Sequence, residues 1–320
     1  MRRLLTITLA LLLGSAGAMA QQPGKIYRLG ALLPTRPSLD LLRNDMLPEL
    51  AKQGFVEGRN LVVDARIGDP VTLPAVARDL VATKPDAIIT LANVATAAAK
   101  AATSTIPILM NGSDPVELGF VNSLAQPGTN VTGTVMLGPE LDRKRLQLLK
   151  EAVPSARHLA VLVAPQITRL AERKRDLQAL AAQFGVEVSF FETSTAEAYV
   201  PAFAAMRSGT MDALMIASDP QFRGDAALLA KLATAAGLPT VCHWRDMAEK
   251  GCLISYGPDL SALSRRLGEL AARILTGDKP AEIPIEGPTS FVFAVNLKTA
   301  TALNLDIPTS LLAQADRVIE

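Results

Sequence analysis

The chain is poor in aromatic residues: one Trp, three Tyr and nine Phe make up 4% of its 320 positions. Its core must therefore be built from Ala, Leu, Val and Ile, which suits alanine-rich helices packed on β-branched strands. A cleft that stacks sugar rings on several aromatics has few to draw on. Charge of one sign is lacking as well. Lys and Arg number 32 against 31 Asp and Glu, a formal net charge of +1. The two signs are interspersed, so no basic stripe follows a phosphate backbone and no nucleic-acid partner is expected. The two His and two Cys stand at unrelated spacings and give no metal-ligand cluster. No P-loop, dinucleotide-binding or nucleophile-elbow glycine pattern is present, and Gly277-Asp278-Lys279 lacks both the upstream glycine and the strand-to-helix context. No cofactor is expected.

Long apolar runs are absent too. The most apolar stretch, 4–13, follows Arg2-Arg3 and precedes Ala18-Met19-Ala20. It is shorter than the ~20 residues of a membrane span. The order of charged start, apolar centre and small-residue site predicts an export signal over 1–20, cleaved to leave a soluble periplasmic protein beginning near Gln21. In that oxidising compartment Cys242 and Cys252, each at the end of an expected strand, either pair or stand as two small core residues; their spacing fixes neither.

Nearly half of the residues, 49%, are apolar. A chain of this length exceeds one core of ~100–150 residues, so two domains are expected. The pattern centres on 105–138. There the run Ile106-Pro107-Ile108-Leu109-Met110 ends in the loop Asn111-Gly112-Ser113-Asp114-Pro115, as a buried parallel strand does at its C-terminal edge. Before it, strands are predicted over 26–33, 60–67 and 86–91, alternating with helices over 39–53, 73–83 and 94–103. A further strand follows at 130–135. The alternation then restarts, with strands over 158–164, 186–191, 213–217, 239–242, 252–256 and 291–296. Helices are predicted over 141–152, 168–184, 196–206, 222–236 and 260–275, with short ones at 297–303 and 309–315. Such alternation marks parallel sheets with helices on both faces. The join at 136–140 is short, so the halves are hinged rather than tethered, and the elements after 257 require further crossings.

Polar loops stand at the ends of the predicted parallel strands. In the first half these are Pro34-Thr35, Ala92-Asn93 and Ser113-Asp114; in the second, Pro165-Gln166, Ser218-Asp219 and His243-Trp244. Open α/β sheets bind ligands at that edge, and two such edges facing across a hinge form a closing cleft. Each residue also has a plain local role: Asn93 and Asp219 as helix caps, Ser113 and Asp114 as turn formers before Pro115, Trp244 as packing. Tyr256 sits where the chain re-crosses, its hydroxyl either in the cleft or tying down a loop. Arg36 and Arg245 read as solvated or as partners for a carboxylate. Read together as a site, Asn93, Gly112 and Ser113 suit a carboxylate, Asp219 an ammonium group and Trp244 a flat side chain. The ligand expected is an amino acid or related zwitterion. The competing reading is an exported hydrolase with His243 as base, oriented by Asp219 or Asp246.

The strings Gly54-Phe55-Val56-Glu57-Gly58-Arg59-Asn60, Ser113-Asp114-Pro115-Val116, Pro127-Gly128-Thr129-Asn130-Val131-Thr132-Gly133, Ser255-Tyr256-Gly257-Pro258-Asp259 and Asn296-Leu297-Lys298-Thr299-Ala300 resemble the ABC transporter substrate-binding protein family, in the branch that includes tryptophan- and tyrosine-uptake proteins. The resemblance runs from about Ile26 to the C-terminus. It implies the type I periplasmic binding protein fold, an α/β architecture of two Rossmann-like lobes with parallel sheets joined by a three-segment hinge. It implies no catalysis, and delivery of a small-molecule solute to an ABC permease in the inner membrane, the protein acting as a monomer. By similarity, Asn93, Ser113 and Asp114 contact the ligand from the first lobe, and Asp219, His243 and Trp244 from the second. Thr129 and Cys252 stand where the family often has Gly, and His243-Trp244 occupies a loop that varies across it. The expected lobes are 25–136 plus 258–287, and 137–257 plus 288–320.

Overall fold

The structure, a computed structural model, describes residues 24–167, 169–193 and 195–320. The expected export signal over 1–20 lies outside the described residues. No described helix is long and apolar enough to cross a membrane.

Two sheets organise the chain. The first contains β1 (Tyr27–Leu33), β2 (Leu61–Ile67), β3 (Ala87–Leu91), β4 (Ile108–Gly112) and β5 (Val131–Val135), in the order β2-β1-β3-β4-β5. All its pairings are parallel. Every residue of β3, β4 and β5 is buried, as expected for strands covered on both faces. The second sheet contains β6 (His158–Val163), β7 (Glu187–Glu192), β8 (Ala213–Ile216), β9 (Thr240–Cys242), β10 (Ile254–Pro258), β11 (Phe291–Asn296) and β12 (Arg317–Ile319). Its order, β12-β11-β10-β9-β8-β6-β7, repeats the winding of the first sheet over β6 to β10. The winding reverses between β1 and β3 and again between β6 and β8, so each lobe has a switch point where the strand ends open a crevice.

The second sheet departs from the expected all-parallel form, because β11 pairs antiparallel to β10. The chain leaves β10 towards the other lobe and re-enters at β11 from that same side, so the two strands run in opposite directions. The edge strand β12, parallel to β11, has no counterpart in the sequence reading; it is three residues long and begins at an exposed Arg.

Between β10 and β11 lies the helix Leu260–Thr276. Asp259 accepts from the Ser261 and Ala262 amides at its start, and Gly277 closes it at φ 115°, a left-handed end that favours glycine. Leu267, Leu270 and Ala271 pack into the core of the five-stranded sheet with Met46, Leu50 and Ile89. A Cβ at Gly268 would stand 2.7 Å from the Met46 carbonyl oxygen, so only glycine lets the two helical segments approach this closely. That neighbouring segment is the expected helix over 39–53, found as Arg36–Leu41, a π-turn Leu42–Met46 and Leu47–Lys52. Pro48 stands at the start of the last piece; lacking an N–H, it breaks the regular ladder one turn back. The chain then returns past β5, where Glu286 donates its amide to the Gly133 carbonyl at 3.0 Å and accepts from the Val135 amide at 2.8 Å. Three segments therefore pass between the lobes.

Arg145 ties two of those segments together. It is fully buried on the helix Asp142–Ala152. Its Nε donates to the Tyr256 carbonyl at 2.8 Å, and its Nη1 to the Gly138 carbonyl and Asp142 Oδ1, each at 2.7 Å. Cys242 and Cys252 are disulfide-bonded inside a cluster that holds Tyr199, Phe222 and Trp244.

Candidate functional site

The C-terminal ends of the two sheets enclose a cavity of about 480 Å³ to which the loops after β1 to β9 all contribute. From the switch-point strands come Pro34 and Thr35 after β1, Asn93 after β3, Gln166 after β6 and Asp219 after β8; Ser113 after β4 and Trp244 after β9 complete the expected residues on its wall. Ser218, of the expected loop Ser218-Asp219, lines it too, and Asp69, Pro70, Val71, Val94, Met136, Ile167, Arg173 and Thr195 line it without having been foreseen. The loop after β2 was passed over because its Asp69-Pro70 reads simply as a turn.

On the first lobe, the helix Asn93–Ala102 starts at the cavity with Ala92 as its cap residue and no side-chain cap. Asn93 is thus not the cap. Its amide instead fixes the neighbouring loop, accepting from the Ser113 N–H at 2.9 Å and donating to Ser113 Oγ at 3.1 Å. This contact needs Gly112, where a Cβ would lie 2.3 Å from Asn93 Oδ1. Ala92 holds φ 73°, a conformation that costs a non-glycine residue ~1–3 kcal/mol and gathers at ligand sites. The first amides of this helix have no partner within it, and its dipole is positive there. The Asn93 and Val94 end is therefore a place for an anionic group.

On the second lobe, Asp219 both caps and faces the cavity. Its Oδ1 accepts from the Gln221 amide at 2.8 Å, while among the described residues Oδ2 lies 3.5 Å from Gln166 Nε2. Burial pushes its carboxyl up to about 6; the Asp225 carboxylate adds to that rise, and the Gln221 and Phe222 amides oppose it. A buried acid with one oxygen to spare is a receptor for a cation.

Four of the expected residues lie elsewhere. Asp114, at φ 50°, pairs across the cleft with Arg173 of the helix Leu170–Ala182, so it joins the lobes instead of lining the cavity. Pro165 is exposed outside it. Tyr256 stacks on Phe291, ring centroids 6.2 Å apart, and packs on the second-lobe core. His243 is buried on a separate, adjoining cavity of about 120 Å³. Its Nδ1 lies 3.0 Å from the Ile216 carbonyl and its nearest acid is Asp142, at 3.9 Å. Neither Asp219 nor Asp246 orients it, and the expected base–acid arrangement for hydrolysis is not formed. Trp244 lies on the main cavity but is only 5% exposed; it packs in the core around the disulfide, which leaves little of its surface for a ligand.

Known proteins share this architecture. The chain is 28% identical over 276 residues to the tyrosine-binding protein of Clostridioides difficile, covering 85% of this chain and 79% of that one. The ABC domain in complex with L-Trp from Streptococcus pneumoniae superposes with a TM-score of 0.84 at 25% identity, covering 92% of this chain and 100% of that one. The ligand-free, open structure of a substrate binding protein with adhesive properties from Clostridium difficile gives a TM-score of 0.67 at 26% identity, covering 92% and 99%. The ABC transporter substrate binding protein family matches residues 33–319, and with two α/β lobes on either side of a solute-sized cavity, the chain belongs to that non-enzymatic family of solute-binding proteins.

Proposed function

We propose that the cleft binds an α-amino acid with an aromatic side chain and delivers it, from the periplasm and as a monomer, to an ABC permease. One observation carries this reading: an uncapped helix N-terminus at Asn93 and a buried carboxylate at Asp219 stand on opposite walls of one cavity. A zwitterion satisfies both, and because the walls belong to different lobes it binds the closed form better than the open one. Size agrees. A cavity of ~150 Å³ holds benzene, so about 480 Å³ has room for the atoms of tryptophan. The two structural relatives also support a closed form, since at nearly equal identity the chain superposes better on the L-Trp complex than on the open, ligand-free structure. The relatives' ligands make tyrosine and tryptophan the first candidates.

The charge on Asp219 gives a test. The ammonium group needs the carboxylate, whereas the empty protein holds a proton there below a pH of about 6. Binding must displace that proton, so affinity falls as the pH falls through this value. Calorimetric titration with L-tryptophan and L-tyrosine is expected to give a dissociation constant about tenfold weaker at pH 5 than at pH 7.5. An affinity that is flat across this range, or rises towards acid, contradicts a role for Asp219 in holding the ammonium group.

A further inference from the structure

The amino and carboxylate ends of such a ligand have partners in the main cavity, and its apolar residues Val71, Met136 and Ile167 are available to the inner part of the ring. The adjoining cavity of about 120 Å³ shares Ile167, Arg173 and Ser218 with the main one, so the two meet beside Asp219. Its walls include Val161, Val163, Leu177, Phe190 and Met215, between the second sheet and the helix Leu170–Ala182. His243 closes the polar end at 4% exposure. The Ile216 carbonyl 3.0 Å from Nδ1 accepts a hydrogen bond, which places the imidazole proton on Nδ1 and leaves the Nε2 lone pair without a donor among the described residues. Asp142 Oδ1, 3.9 Å from Nε2, is beyond hydrogen-bond reach and already accepts from Arg145. Burial, with the Arg145 guanidinium acting in the same direction, keeps this imidazole neutral. The result is a slot with apolar inner walls, charged groups of Asp142, Arg173, Lys174 and Asp176 on its lining, and a neutral acceptor on His243.

We infer that this second cavity is a ring subsite, taking the distal part of the ligand's aromatic side chain, with His243 Nε2 accepting a hydrogen bond from a donor on the ring edge. The inference rests on the amino-acid reading of the main cavity. An indole N–H or a phenol O–H supplies the donor. On the scale of ~150 Å³ for benzene, the slot takes about five heavy atoms, the outer part of a ring whose inner part sits at the junction by Ile167 and Ser218. A ring with no donor fills the slot but leaves a buried acceptor unpaired, and sites of that kind discriminate strongly.

The test needs no substitution at first. Calorimetry on the wild-type protein compares L-tyrosine with L-phenylalanine, and L-tryptophan with 1-methyl-L-tryptophan. Loss of the ring donor is expected to weaken binding by about thirtyfold or more in at least one pair. In His243→Leu, checked for native unfolding behaviour, the same ratio is expected to shrink to about threefold or less. A ratio under about threefold in both pairs for the wild type, or an undiminished ratio in folded His243→Leu, overturns the subsite. Leu177→Trp, which blocks the slot from the helix side, is expected to abolish binding of the aromatic ligands while sparing L-alanine; unchanged aromatic binding overturns it as well. Binding of the amino acids without dependence on the donor rejects the subsite alone, whereas no binding by any of them rejects the amino-acid reading with it.

Discussion

Arg145→Met is expected to destabilise the protein by about 3–5 kcal/mol. The side chain is the largest of the fully buried ones, and methionine replaces its bulk but none of its donors. Three acceptors are left behind: the Gly138 and Tyr256 carbonyls and Asp142 Oδ1. Both side chains are held largely out of water, Arg145 at 0% and Asp142 at 15% exposure, and that burial raises the Asp142 carboxyl and lowers the Arg145 guanidinium. Removing one partner strands the other, and that costs more than the pair contributes in net terms. Because Gly138 and Tyr256 lie on two separate hinge segments, the loss reaches the register of the lobes as well as the fold. Urea unfolding measures the effect through the midpoint. Adding Asp142→Leu removes the stranded carboxylate and is expected to recover part of the loss. A single variant within about 1 kcal/mol of wild type contradicts this account of the hinge.

The second large effect falls on binding. Asp219→Asn is expected to weaken L-tryptophan or L-tyrosine by at least about thirtyfold, roughly 2 kcal/mol, and to remove the dependence on pH between 5 and 7.5 proposed above. The amide keeps an oxygen to accept from the Gln221 N–H, so the helix start survives. Stability without ligand is expected to hold. Between about 4 and about 6 the folded state retains the Asp219 proton more than the unfolded chain does, so this group's contribution to stability falls as pH rises through that window. An uncharged amide does not carry that cost. Equal loss of folding and of binding in this variant would instead assign Asp219 to the cap alone.

The lobes were legible in the sequence because parallel strands buried on both faces read as short apolar runs, each ended by a polar turn. That grammar located Thr35, Asn93, Ser113, Gln166 and Asp219 at strand ends, and the cavity wall gathers all of them. What escaped belongs to tertiary structure. Nothing in the run Asp142-Arg143-Lys144-Arg145 marks one Arg for burial, yet helix geometry turns Arg145 into the hinge and leaves Arg143 outside. Arg173 lies on an expected charged helix face, and only the approach of the other lobe gives it Asp114. His243 and Trp244 are adjacent in sequence, with ring centroids 5.8 Å apart, but one lines the small cavity and the other packs in the disulfide cluster. The helix Arg245–Glu249 was missed because five residues after a polar pair carry too little periodicity to stand out.

The central claim is that one cavity holds both ends of a zwitterion. The most direct measurement is calorimetry on protein freed of ligand by unfolding and refolding, titrated with L-tryptophan, with tryptamine, which lacks the carboxylate, and with indole-3-propionate, which lacks the ammonium group. The account predicts one-to-one binding of the amino acid at about micromolar affinity or tighter, recovery of the ligand chemically unchanged, and a loss of about tenfold or more for each one-ended analogue. Equal binding of the amino acid and both analogues, or no binding of L-tryptophan or L-tyrosine beside clear binding of a neutral sugar, would contradict it.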